Sequence, residues 1–127
     1  MAETRQDLED YIQYNFDDIP SFKLAILFNS GKIEVKIAMG AVDENFVENL
    51  QNTCSDASNG SPQSQTIGNR EFFRKSPENA DIFVAACEDS LIFRQTSQEV
   101  TFIVYCCGKT AEKDSSRIRE LIHGLMV

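Results

Sequence analysis

The stretch TFIVYCCGKT, Thr101 to Thr110, carries the residue types with the most chemical potential in this chain. Two adjacent thiols, Cys106 and Cys107, run into Gly108, Lys109 and Thr110. Three kinds of structure fit such a run: a phosphate loop, a reactive thiol, or a strand that ends at a glycine and hands over to a helix. A Walker phosphate loop needs a second glycine five positions before its Gly-Lys-Thr. Ile103 occupies that position, inside an apolar run, so the wrapping loop is missing. A nucleophilic cysteine wants a histidine or another group that lowers its pKa. His123 is the one histidine, and it falls off the Ile118–Leu121–Ile122–Leu125 stripe, where solvent is its expected surrounding. Neighbouring side chains on an extended chain leave opposite faces, so Cys106 and Cys107 are poorly placed to grip one metal. The third structure is the one expected, and a redox-active Cys107, helped by Lys109 and the start of the last helix, is the weaker alternative.

The remaining reactive residues point the same way. Cys54, Cys87, Cys106 and Cys107 match neither a zinc spacing nor a disulfide framework, and free cysteines of a cytosolic protein are expected. Asp7, Glu9 and Asp10, and the pair Asp17-Asp18, lack the alternating oxygen ligands of a calcium loop. A solvated helix face accounts for them. One histidine leaves little acid–base chemistry. No enzyme activity, cofactor or metal is expected.

The elements that must carry these residues follow from periodicity. Leu8, Tyr11, Ile12, Phe16 and Ile19 make a helical stripe from about Arg5 to Asp17, with Thr4 as its cap and Pro20 beyond its end. Phe22–Asn29 is apolar on both sides and reads as a central strand. The turn NSGK, with Gly31 free to take positive φ, leads to a return strand in which Ile33, Val35, Ile37 and Met39 alternate with polar residues. Asp43 can cap a second helix with Phe46, Val47, Leu50, Cys54 and Ala57 on its stripe. Serine-rich SDASNGSPQSQ follows, so a mobile surface loop is expected over about 55–70. EFFRK is a candidate short strand, with Phe72 and Phe73 on opposite faces. ADIFVAAC, LIFRQT and EVTFIVYCC are three more strands, and Thr110–Met126 returns to helical spacing. ADIFVAAC is either an interior strand or an edge awaiting a partner strand. The expected order is α-β-β-α-β-β-β-α. This is an α+β fold whose five-stranded, mainly antiparallel sheet has flanking helices, in one domain spanning residues 1–127.

Composition limits the partners. The net charge of −8 argues against nucleic acid, which demands a basic face. Met1–Ile19 holds six acids against Arg5, whereas Lys109–Gly124 balances four bases with three acids. No apolar run is long enough to span a bilayer, and no leader or lipid-anchor motif is read, so direct membrane insertion is not expected.

The order DLEDYIQYNF, FKLAILFNSGKIEVKIAMG, DENFVENLQNTC, ADIFVAACEDSLIFRQTSQEVTFIVYCC and a closing helix resembles the roadblock/dynein light chain family, most nearly its Ragulator-type scaffold subunits. The resemblance covers nearly the whole chain. It implies a roadblock/profilin-like sandwich that forms a homodimer or a heterodimer with a chain of similar fold. Such pairs hold small GTPases, or tie motor and signalling proteins to cargo or to an organelle membrane. Carried onto this sequence, the protein interface implied is Phe46, Leu50 and Cys54 of the middle helix with Ile82 and Val84 of the adjoining strand. Phe73 is a further contact candidate from its polar neighbourhood. The function expected is a cytoplasmic, non-enzymatic adaptor. The alternative is a monomeric pleckstrin-homology or phosphotyrosine-binding-like module that lays a peptide beside its last strand.

Overall fold

The central strand β1 (Phe22–Asn29) is buried along nearly its whole length because it is paired on both sides and covered on both faces. A computed structural model of the chain describes residues 5–39, 42–54, 63–77 and 81–126. β1 turns into β2 (Lys32–Ala38) through Ser30 and Gly31, whose φ values of 54° and 81° suit the tight hairpin expected there. β2 is an edge strand. Val35 is buried as expected, but Ile33 is 44% exposed, beside a register shift at Leu27/Phe28.

Five more strands follow the second helix: β3 (Ser64–Ile67), β4 (Arg70–Arg74), β5 (Ile82–Cys87), β6 (Ser90–Ser97) and β7 (Val100–Cys107). All seven form one antiparallel sheet in the order β2-β1-β7-β6-β5-β4-β3. The chain folds as α+β with this sheet, and the expected count of five strands is corrected to seven. β3 and β4 are the additions. They form a hairpin about Gly68, whose φ is 66°. Thus 64–67 and 70, expected within a loop, are strand, while 55–62 lie outside the described residues.

The helices α1 (Arg5–Phe16), α2 (Glu44–Cys54) and α3 (Ala111–Met126) divide between the two faces. On one face Ile12, Phe16, Ile118, Ile122 and Leu125 of α1 and α3 bury Ala25, Leu27, Phe93, Phe102 and Val104. On the other, Phe46, Val47 and Leu50 of α2 pack on Leu24, Ile26, Ile92, Ile103 and Phe72. Each fully buried Phe, Leu or Ile contributes about 1.5–3 kcal/mol by transfer alone. α1 ends where Ile19 N–H reaches Phe16 O at 3.1 Å and Phe22 N–H reaches Ile19 O at 3.1 Å, with Pro20 between them. The proposed cap Thr4 lies outside the described residues.

Candidate functional site

TFIVYCCGKT is a strand that feeds a helix. β7 runs unbroken to Cys107, and Gly108 then takes φ 131°. The Gly108 N–H donates to Asp89 O at 3.0 Å, and the Ala111 N–H to Gly108 O at 3.1 Å. The Thr110 hydroxyl donates to the Asp114 carboxylate at 3.1 Å, closing the first turn of α3. Cys106 enters the core under α1 and α3, whereas Cys107 sits half-buried on the α2 face. Burial pushes the Cys106 thiol up to about 12, against a smaller opposing pull from a Ser21 hydrogen bond. His123 is exposed on α3, across the sheet from Cys107, and cannot serve it as a base.

Cys107 does line an open cleft of about 400 Å³ between α2, the β3–β4 turn and the end of β7. Phe46, Asn45 and Asn49 come from α2, Asn69 and Arg70 from the hairpin, and Lys23, Tyr105 and Cys107 from the sheet. Arg70 organises the floor. It donates from Nη2 to Ser90 Oγ at 2.7 Å and to Cys87 O at 3.3 Å, and from Nη1 to Tyr105 Oη at 3.2 Å. Its guanidinium carbon lies 5.9 Å from the Phe46 ring centre and 5.3 Å from that of Phe72. Burial alone lowers its pKa, but contacts with Tyr105 and Cys87 outweigh burial and leave it above the ordinary arginine value. Ser90 Oγ, placed by β6 between Cys87 and Cys107, lies 3.4 Å from Cys107 Sγ. The cleft thus offers cations, amides and aromatic walls, and its thiol has no histidine partner.

Of the six residues expected at a protein interface, the five with described side chains do not share a surface. Phe46 and Leu50 are buried beneath α2. Val84 is 2% exposed and Ile82 half-buried, on the opposite face of the sheet. Cys54 ends α2, and its side chain lies outside the described residues. β5 is an interior strand, paired with β6 and β4, and Lys75 N–H also donates to Val84 O at 2.7 Å. Its edge is therefore taken at Val84, because the unexpected β3–β4 hairpin occupies it. Of the five whose side chains are described, Phe73 alone is well exposed, at 56%. It stands opposite Ala86 and Ser64 on the face that carries α1 and α3. Those helices pack chiefly on β2, β6 and β7, and at the β3–β4 end of this face Phe73 stays exposed among the described residues. Lys75 pairs with Glu112 at the border of the covered part.

Arg70, Ser90 and Tyr105 were not apparent as a group from sequence. Their convergence depends on the β3–β4 hairpin, whose polar SQTI strand carries no apolar alternation. The Gly68-Asn69 turn before Arg70 was the available signal.

No family model matches the chain, and no match was found among curated proteins. Nine chains of solved structures match it. One is profilin IA of Acanthamoeba castellanii, with a TM-score of 0.54 and 10% identity, covering 92% of this chain and 97% of that one. The fold is profilin-like. At this identity the likeness concerns architecture alone, and it agrees with an antiparallel α+β sheet running through the whole described chain. Side-chain alternation on β7 puts the two thiols of the Cys-Cys pair in different layers, with the sheet between them. No helix among the described residues is long and apolar enough to cross a membrane.

Proposed function

We propose that the protein is a non-enzymatic adaptor that pairs, through the β3–β4 end of its sheet, with a second copy of itself or a chain of similar fold. Phe73 carries this reading. An aromatic ring more than half exposed beside Ala86 costs transfer free energy that a partner surface would recover. The short edge strand β3 beside it, with no strand on its outer side among the described residues, offers backbone groups for strand addition. The pairing surface proposed therefore lies at β3–β4, one hairpin further out than Ile82 and Val84.

The roadblock-type resemblance supplies the setting for such a pair: holding a small GTPase, or tethering signalling or motor complexes in the cytoplasm. The peptide-module alternative has less support, because the closing helix lies flat on one face of a single sheet and another helix covers the other face. Sedimentation of the wild type and Phe73→Asp, alone and after isolation from the native cell, tests the proposal. Association that weakens with Phe73→Asp is expected. A wild-type monomer at every concentration, whose native partners Phe73→Asp retains, would overturn it.

A further inference from the structure

We propose that the cleft on the α2 face binds the phosphate group of a small, soluble phosphate monoester, held between Arg70 and Lys23. The first support is charge. The chain carries −8, yet this cleft gathers two cations, and neither meets a carboxylate among the described residues. Asp43 is the one acid in the lining, and its carboxylate already accepts the Asn45 N–H at 3.0 Å. Local charge is thus positive in an acidic protein, and a phosphate monoester of about −1.5 to −2 balances two cations where a carboxylate balances one.

The second support is preorganisation. Three hydrogen bonds to neutral oxygens and two aromatic rings hold the Arg70 guanidinium in place. Of the five N–H donors of an arginine, those bonds spend three and leave two for a ligand. A fixed fork loses little freedom on binding an anion. The third support is the rest of the lining. Asn45, Asn49 and Asn69 line the cleft with amides, although Asn49 spends one N–H on Asn45 O at 2.7 Å, the nearly buried Phe46 and Tyr105 rings back its wall, and about 400 Å³ suits a small molecule. An anionic bilayer is disfavoured as the source of the phosphate, because the protein as a whole is repelled by it.

The test is a titration of the intact protein, followed through the side-chain amide signals of Asn45, Asn49 and Asn69 by nuclear magnetic resonance. The probes are phenyl phosphate, inorganic phosphate, phenol, and vesicles bearing phosphorylated lipid headgroups. Saturable shifts at these amides are expected with phenyl phosphate, weaker ones with inorganic phosphate, and none with phenol or the vesicles. Lys23→Gln should weaken phenyl phosphate about tenfold, the loss of one charge-assisted contact. Arg70→Lys should also weaken it, while its unshifted core signals report that the fold is kept. Phe73→Asp lies on the other face and should leave binding unchanged, so this site and the pairing surface stand or fall separately. Absence of saturable shifts with phenyl phosphate, unchanged affinity in folded Lys23→Gln, or a response to the vesicles alone would overturn the proposal.

Discussion

Phe72 and Phe73 are neighbours on β4, yet Phe72 is 0% exposed and Phe73 is 56% exposed. The Phe72 ring lies 6.1 Å from that of Phe46 beneath α2, while Phe73 stands on the far face of the sheet. Phe72→Ala should cost about 3–5 kcal/mol, because it opens a cavity in a filled layer. Phe73→Ala should move stability by only about 0.5 kcal/mol. Urea unfolding of both variants checks this, and equal losses would contradict the two-faced placement.

Asp114 ties the entrance of β1 to α3. The buried Ser21 hydroxyl donates to its carboxylate at 2.6 Å, and the Thr110 hydroxyl does so at 3.1 Å. Asp114→Ala should therefore cost about 2–3 kcal/mol, while Asp114→Asn, which keeps one acceptor, should cost less. Thermal unfolding of the two variants gives the comparison. Indifference to both would show that these bonds contribute nothing net.

Stability at alkaline pH should depend on Cys106. Its thiol ordinarily ionises near 9.0, and burial raises that to about 12 in the folded protein. Below the lower value both states hold the proton, and the thiol adds no pH dependence. Between the two, the unfolded chain gives up a proton that the folded chain keeps, so stability falls as pH rises. The slope from this group is at most about 1.4 kcal/mol per pH unit. Burial raises Tyr11 as well, with the same sign, so Cys106→Ala serves to isolate the thiol. That variant should lose stability less steeply than the wild type in denaturant titrations above pH 9.0.

Tyr11 links α1 to α3 by donating its hydroxyl to Leu121 O at 3.0 Å. A Cβ on Gly124 would stand 3.0 Å from the same hydroxyl oxygen. Gly124→Ala gains about 1 kcal/mol of helix propensity but presses on this bond, so the wild-type background should show little net change. In Tyr11→Phe the obstruction is gone, and the same substitution should stabilise by about 1 kcal/mol. A double-mutant cycle measures the difference, and strict additivity would refute the contact.

The fold was legible where one signal dominated. The helical stripes of α1 and α3, the doubly buried β1 and the β7-to-α3 transition at Gly108 follow from periodicity and turn chemistry. β3 was illegible because a four-residue, polar edge strand has no hydrophobic pattern, and EFFRK could not be assigned a place in the sheet without it. That one gap hid the hairpin that occupies the flank of β5 beside Ile82 and Val84. It also hid the cleft, which exists only because the hairpin carries Arg70 to Ser90 and Tyr105. The opposite fates of Phe72 and Phe73, by contrast, followed from strand alternation alone.

A photo-crosslinking side chain at position 73 tests pairing most directly, with Tyr14 of α1, 85% exposed, as the matched surface control. Position 73 should capture a second copy of this chain or a chain of similar fold, and position 14 should not. Capture of neither from position 73, or the same capture from both positions, would contradict the pairing.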